Sequence, residues 1–310
     1  MAAEMKRTLK ERLLYGLYLT LVTPLSWLPL PALYLLSDGL RLLMHRVLKY
    51  RRATVRENLS SSYPEATPEQ LREYERDFYR QFCDNLVETV KLLNISDKTI
   101  DSRVEVVDAD LVDQAAAQGR SVILYLGHYG NWEWVPAIQR HYRRPGISCQ
   151  IYKPLHDRAF DRLMLKVRSR FGSLSIDMDV AFRQLLRIRK EYGTFICGFI
   201  ADSRTSWQPT RYVTEFLRHP TMFYPGGEEL GRRMDAEFLY LDVECLSRGH
   251  YRMTFRPIVP PPGMTEYPYT REYLRMMQAT IDRRPGCWMW SHKRWPASLQ
   301  ALIKPQTSNF

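Results

Sequence analysis

Cysteine is scarce and unpatterned in this chain. The 310 residues hold five: Cys83, Cys149, Cys197, Cys245 and Cys287. They are scattered, odd in number and form no C-x-x-C, which argues against a disulfide framework or zinc ribbon and fits a reducing compartment. G-x-G-x-x-G, the Walker A pattern and G-x-S-x-G are also missing, so nothing supports a nucleotide enzyme or a serine hydrolase. H-E-x-x-H is absent. His45, His141, His156, His219, His250 and His292 show no ligand spacing, so neither a metal site nor a cofactor is expected. There is no internal repeat and no low-complexity tract. Acidic residues are in deficit: 45 Lys and Arg against 34 Asp and Glu leave a net charge of +11. A chain this basic should meet an anionic partner, either nucleic acid or a phosphate-bearing membrane surface.

What is present sharpens this. Seven Trp and nineteen Tyr suit a membrane interface, where amphipathic rings settle, and also suit stacking on single-stranded nucleic acid. Leu13 to Ser37 contains no charged residue over 25 positions, long enough on paper to cross a bilayer. Pro24, Pro29 and Pro31 interrupt it, so a single straight helix is not expected. Lys6, Arg7, Lys10 and Arg12 precede this stretch. Arg41, Arg46, Lys49, Arg51, Arg52 and Arg56 follow, with no acid between Asp38 and Glu57. Residues 1–56 therefore read as a membrane anchor or interfacial helices, spanning or re-entrant, with the basic cluster on anionic headgroups. A buried helical hairpin of a soluble protein is the plainer alternative.

Residues 57–310 read as the catalytic domain. Thr67-Pro68-Glu69-Gln70 starts a helix, with a cap, proline at the first position and acid in the first turn. Phe78, Phe82, Leu86, Val90 and Leu93 recur at helical spacing and predict the face it lays on the core. From residue 102 the pattern alternates. Strands are expected at Val104–Val107, Val122–Leu126, Ile147–Ile151 and Phe195–Ile200. Helices are expected at Asp110–Gln118, Trp132–His141, Asp157–Phe171 and Val180–Tyr192. Two more strands, Phe238–Glu244 and Tyr251–Ile258, and a helix at Tyr273–Arg283 complete the chain. Such alternation predicts an α/β fold, a mainly parallel central sheet flanked by helices. Sites in such sheets collect at the carboxyl ends of strands, and His128 and Asp202 both fall just past one.

The sharpest signal is His128 and Glu133, which follow the apolar run Val122–Leu126. Residues five apart sit about 140° from each other on one helix. The two meet only if His128 is on the loop and Glu133 on the first turn of the next helix, with Gly127 and Gly130 making the turn. A histidine in this setting takes a proton from a hydroxyl, and a carboxylate on its far nitrogen fixes the tautomer. The alternative is a histidine capping a helix beside an exposed glutamate.

Here the residues reach a family. Gly127-His128-Tyr129-Gly130-Asn131-Trp132-Glu133 resembles the H-x4-E signature of the late acyltransferases of lipid A biosynthesis, within the lysophospholipid acyltransferase superfamily. Tyr152-Lys153-Pro154, Asp161-Arg162-Leu163 and Arg168-Ser169-Arg170-Phe171-Gly172 are similar to the family's second block. Ala201-Asp202 is similar to the third, and Trp288-Met289-Trp290-Ser291-His292-Lys293-Arg294-Trp295 to the block near the C-terminus. Two departures stand out: Ser203 follows Asp202 where glutamine is usual, and Phe216-Leu217-Arg218-His219-Pro220 lacks an expected glycine.

The resemblance implies O-acylation. A fatty acyl thioester, on acyl carrier protein or coenzyme A, would donate to a hydroxyl of lipid A or its precursor. The work would be done at anionic lipids on the cytoplasmic face of the inner membrane, with no nucleic acid partner. His128 would be the base and Glu133 its orienter. Arg168 would steady the oxyanion or grip an acceptor phosphate, with Arg170 as alternate. Asp202 is carried over as a site residue that anchors Arg168 or meets the acceptor. Asn131, Trp290 and Arg294 are carried over as substrate-side residues, Asn131 mainly securing the turn. The missing nucleophile agrees, because a donor that is already a thioester needs only a base. An acyltransferase for another lipid, and a non-catalytic basic membrane or nucleic-acid binder, are the competing readings.

Overall fold

The structure, a computed structural model, describes residues 8–144, 146–203 and 212–296; Lys6 and Arg7 of the first basic cluster lie outside them. Nine strands are found among the described residues: β1 Val104–Val107, β2 Val122–Leu126, β3 Ser148–Tyr152, β4 Leu174–Asp177, β5 Ile196–Ile200, β6 Tyr212–Phe216, β7 His219–Phe223, β8 Glu237–Ser247 and β9 His250–Pro257. Seven form one sheet in the order β1-β9-β8-β2-β5-β3-β4. Only the β8–β9 contact is antiparallel. The α/β fold with a mainly parallel sheet is thus as the alternation predicts. β2 is central and all five of its residues are buried, as a run of unbroken apolar residues requires when helices cover both faces.

The helices are α1 Leu9–Trp27, α2 Leu30–Leu42, α3 Arg52–Ser62, α4 Pro68–Lys91, α5 Asp97–Asp101, α6 Asp110–Ala117, α7 Arg158–Arg168, α8 Ala181–Tyr192, α9 Gly226–Arg233 and α10 Pro268–Arg283. The helix expected at Trp132–His141 is instead a 3₁₀ segment, Trp132–Arg140, with Pro136 inside it. Proline lacks an N–H and crowds the preceding turn, which disfavours regular α-helix. β4, β6 and β7 were not expected. They are short and carry Ser175, Asp177, Glu215 and Pro220, so no apolar alternation marks them.

α4 starts as the sequence predicts, with Thr67 and Gln70 forming a reciprocal capping box and Pro68 in the first turn. Its buried face agrees with the expectation at Phe78, which joins the core, and at Phe82 and Leu93, which pack on it, but is wider and more polar than the stripe. Leu86 is 43% exposed, whereas Glu75, Asp84, Asn85 and Glu88 are buried. The helix is covered on several sides, and its polar residues find partners inside, so the apolar stripe alone does not locate the core.

The uncharged stretch near the N-terminus breaks at Leu28–Pro29, between α1 and α2. Pro24 is accommodated inside α1, and Pro29 and Pro31 sit at the start of α2, where a missing N–H costs little. Among the described residues no single helix is long and apolar enough to cross a membrane; the two helical stretches Leu9–Trp27 and Leu30–Val47 together are, but they are bent by 119°. α2 docks on the body: Leu30 and Leu33 join the core, Ser37 bonds Asp84 at 2.6 Å, and Arg248 bridges Asp38 and Asp84. Lys91 closes the end of α1 by donating to the carbonyls of Ser26 and Leu28 at 3.0 and 2.8 Å. α1 leans on α7, where Tyr18 bonds Asp157 at 2.8 Å and the Arg162 guanidinium lies 4.0 Å over the Tyr15 ring. Its outer side stays bare: Leu9, Leu13, Leu17 and Leu21, four apart, are 51–73% exposed.

β6 and β7 pair as a separate hairpin, with Phe216 opposite His219. The two residues between them, Leu217 and Arg218, have φ of 51° and 66°. This is the segment where the expected glycine is missing. Two consecutive positive φ values suit a tight hairpin turn but cost an L-residue about 1–2 kcal/mol each. Arg218 also pairs with Glu65 at the surface, side chains 50% and 74% exposed, which adds little. Arg218→Gly is therefore expected to stabilise the protein by about 1 kcal/mol, read as a higher midpoint in denaturant unfolding.

Candidate active site

β2 and β5 are parallel neighbours, with Leu126 opposite Ile200. Two residues beyond each lies a polar side chain, His128 after β2 and Asp202 after β5. The register therefore brings them together. Asp202 Oδ1 lies 2.7 Å from His128 Nδ1, and Asp202 Oδ2 accepts the His128 backbone N–H at 3.0 Å. The turn between strand and loop is crowded: a Cβ on Gly127 would lie 2.3 Å from the Met277 side chain, and Gly130 has φ +58°.

Asp202 is fully buried and held from further sides. Trp288 Nε1 donates to Oδ2 at 2.7 Å. Arg294 Nε donates to its carbonyl at 3.0 Å, and Arg294 Nη2 is 3.6 Å from Oδ2. The Arg294 guanidinium lies 3.9 Å over the Trp288 ring. Burial alone would push the Asp202 carboxyl up, but the His128 imidazole, Arg294 and the Trp288 N–H together hold it well below the usual carboxylate range. Burial lowers Arg294 to about 10, against the pull of Asp202, so it stays cationic at neutral pH.

Glu133 stands on the first turn of the 3₁₀ segment, as the spacing argument requires, but its carboxylate is taken by Arg168. Nε reaches Oε2 at 2.8 Å and Nη2 reaches Oε1 at 2.6 Å, a two-pronged pair. Burial works against the Arg168 cation; the bonds from Glu133 outweigh it and hold its pKa above the ordinary value. The geometry thus corrects three expectations. The group on His128 Nδ1 is Asp202, where Glu133 was expected. The anchor of Arg168 is Glu133, where Asp202 was offered. Trp290 and Arg294 are both 0% exposed and do not line the cavity, where both were expected on the substrate side. Trp290 donates to the Pro285 carbonyl at 2.7 Å and packs edge-on against Trp288.

Asn131 is also fully buried. Its Oδ1 accepts the Trp134 N–H at 3.2 Å and so caps the 3₁₀ segment, the turn-securing part expected of it. Arg170 points elsewhere, to the Ile95 carbonyl at 3.0 Å and Asp97. Trp288 is the residue sequence reasoning passed over, although it belongs to the Trp-rich block; nothing in its spacing singles it out from Trp290.

His128, Trp132, Glu133 and Arg168 share a wall of one cavity of about 310 Å³. Its remaining walls are mainly apolar: Leu124 and Leu126 of β2, Ile196, Gly198 and Ile200 of β5, and Val135 and Ile138 of the 3₁₀ segment. The cavity runs between the sheet and that segment. Its size falls at the lower end of ligand pockets, roughly 300–1,000 Å³. Among the described residues, no cluster of His, Cys, Asp or Glu is arranged to hold a metal ion.

Polar groups at the carboxyl ends of adjacent parallel strands, over a cavity with mainly apolar walls, are where an α/β enzyme holds its ligand. Comparison with known proteins narrows this. Residues 4–297 match the family of bacterial lipid A biosynthesis acyltransferases, and the chain belongs to that family. It is 28% identical over 270 residues, 86% of each chain, to the lipid A biosynthesis lauroyltransferase of Escherichia coli (strain K12). The protein is an acyltransferase of lipid A biosynthesis.

The Asp202 cradle makes a pH-dependent prediction. Its carboxyl titrates lower folded than unfolded, where the value is about 3.9. The contacts therefore add stability above that pH, and the contribution is lost as pH falls through the folded pKa. In denaturant unfolding, wild type is expected to exceed Asp202→Asn in stability at about pH 7, to begin losing that lead only below about pH 4, and to lose the rest as pH falls on towards the folded pKa. Arg294→Ala, which leaves Asp202 without its buried cation, should cost about 3–5 kcal/mol at neutral pH.

Proposed function

We propose that this enzyme transfers a fatty acyl chain from a thioester, on acyl carrier protein or coenzyme A, to a hydroxyl of lipid A or its precursor. One observation carries the reading. The His128 imidazole has Nδ1 tied to a buried carboxylate and stands in the wall of an apolar cavity. No described residue bonds its Nε2, which is where an acceptor hydroxyl would be met. Asp202 holds the proton on Nδ1, so Nε2 carries the lone pair a base needs.

The chemistry balances without a protein nucleophile. His128 Nε2 takes the hydroxyl proton as the oxygen attacks the thioester carbonyl and a C–O bond forms. The tetrahedral oxyanion collapses, the C–S bond breaks, and the thiolate takes the proton back from the imidazolium. Asp202 steadies that imidazolium. The Arg168 guanidinium, fixed by Glu133 in the same wall, supplies the positive charge for the oxyanion or for an acceptor phosphate. Asn131, Trp288 and Arg294 keep these groups in place. The apolar walls from β2, β5 and the 3₁₀ segment receive the acyl chain.

The bare leucine side of α1, with Trp27 71% exposed at its end, is read as the surface that lies in the headgroup region. Residues 1–56 then act as an interfacial element, and the net positive charge holds the enzyme on anionic lipids at the cytoplasmic face of the inner membrane. This supports a lipid acceptor delivered from the bilayer.

His128→Ala is expected to lower acyl transfer by roughly 10²–10⁴-fold. Asp202→Asn should also be severely impaired, because the amide presents a different hydrogen-bond pattern to Nδ1. Unchanged turnover in both, in a transfer assay with an acyl thioester and a lipid A precursor, would sink the mechanism. Mass spectrometry of membrane lipids from cells with and without the gene identifies the acceptor. Unchanged lipid A acylation, with another lipid short of a chain, would assign that lipid instead.

A further inference from the structure

The loop that carries the site rests on a buried polar face of α4. Gln81, Asn85 and Glu88 stand at i, i+4 and i+7, on one side of the helix. Asn85 Nδ2 donates to the Gly130 carbonyl at 2.7 Å. Glu88 Oε2 accepts from Asn131 Nδ2 at 2.6 Å and from the Tyr251 hydroxyl at 2.9 Å. Glu88 Oε1 accepts from the Tyr34 hydroxyl at 2.8 Å. The Glu88 carbonyl accepts the Trp134 indole N–H at 3.1 Å. Gln81 completes the set, donating to Tyr251 Oη at 2.9 Å and to Asn85 Oδ1 at 2.7 Å.

Glu88 is 0% exposed, and among the described residues no cation pairs with it. Burial pushes its carboxyl up to about 7, against the pull of Tyr34, Asn131 and Tyr251. A carboxyl group in the interior without a cation is costly, and a core could be packed there without one. Its donors come from three places: α2 through Tyr34, β9 through Tyr251, and the catalytic loop through Asn131. Asn131 in turn caps the 3₁₀ segment at Trp134, one residue after Glu133.

We infer that Glu88 is a positioning residue of the transfer site: through Asn131 it sets the turn that presents Glu133 to Arg168, and through Tyr34 it makes that setting depend on the seating of α2. The chain of contacts is Tyr34–Glu88–Asn131–Trp134, with Glu133 inside the turn it closes. Tyr34 is itself clamped, its carbonyl accepting from Arg248 at 3.1 Å and its ring under the Arg248 guanidinium at 4.6 Å. Next to it on α2, Leu35 and Leu36 are 74% and 48% exposed. Whatever shifts α2 at a lipid surface is thereby felt at Arg168. The inference rests on the acyl-transfer reading for its assay but not for its geometry.

The test uses full-length enzyme in mixed micelles, with Tyr34→Phe, Glu88→Gln, Glu88→Leu, Asn131→Ala and the double variant Tyr34→Phe/Asn131→Ala. kcat and KM are measured for donor and acceptor at a temperature where unfolding curves show each variant fully folded. Tyr34→Phe is expected to lower kcat several-fold with donor KM unchanged. Glu88→Leu should fall further. Glu88→Gln should recover most of the loss, since its amide oxygen still accepts from Asn131 and its N–H meets the Tyr34 oxygen. The double variant should be no worse than Asn131→Ala alone, because both cut one chain. Unchanged kcat in folded Tyr34→Phe and Glu88→Leu, or strictly additive losses, would overturn the inference and leave Glu88 a packing element. If wild type shows no thioester transfer, the functional reading fails. The positioning is then judged by amide exchange at Asn131 to Trp134: faster exchange in folded Tyr34→Phe supports it, and no change overturns it.

Discussion

The bond from Asp202 to His128 Nδ1 holds the site together, and much of the surrounding structure serves it. A carboxylate buried to this depth survives only with full compensation. The imidazole, the His128 backbone N–H, the Trp288 indole and Arg294 provide it. They come from two stretches of chain, the His128 loop and the C-terminal segment Trp288–Trp295, so Asp202 is compensated only when β2, β5 and that segment are in place. That segment also joins the His128 loop through its backbone: Tyr129 and Trp288 form a bridge, and Gly130 N–H donates to the Cys287 carbonyl at 3.0 Å. The Trp-rich segment thus supports the His128 loop from behind, outside the cavity wall.

The second pair, Glu133 with Arg168, is organised on the opposite side by α4 and α7. Arg168 is the last residue of α7, and Glu133 lies on a turn capped by Asn131. Two carboxylates and two arginines are therefore sorted into separate units. Asp202 with Arg294 is wholly buried behind His128, whereas Glu133 with Arg168 lies in the cavity wall and is partly open. In the mechanism proposed above, the first holds a proton in place and the second presents charge to a substrate. Burial explains the division, since a cation with no exposure stabilises only what is already inside the protein.

Much of this was legible in the chain. The alternation of apolar runs and helical stretches predicts the mainly parallel sheet. The glycine-bounded end of β2 marks His128, and two separate blocks, one with Arg168 and one with Asp202, mark further residues of the candidate site. The errors share one cause. His128 and Glu133 are five residues apart, and proximity in sequence made them the natural partners. Asp202, 74 residues away, is nearer because β5 pairs with β2. The stripe of Phe78, Phe82, Leu86, Val90 and Leu93 gave only part of the buried side of α4 for a related reason. Periodicity measures apolar content, whereas Asp84, Asn85 and Glu88 are inside because partners on other elements satisfy them.

By itself the sequence determined most of the strands and helices, where the chain breaks, and which polar residues stand at strand ends. Those properties follow from local sterics and from the period of apolar residues, which are written in consecutive positions. Only the tertiary structure decided which carboxylate meets which cation. Strand order and register are set by long-range packing, and a salt bridge is selected by the distance and burial that packing leaves. Asp202 went to His128 and Glu133 to Arg168 because β5 lies beside β2 and α7 ends beside the 3₁₀ segment, neither of which any short window of residues contains.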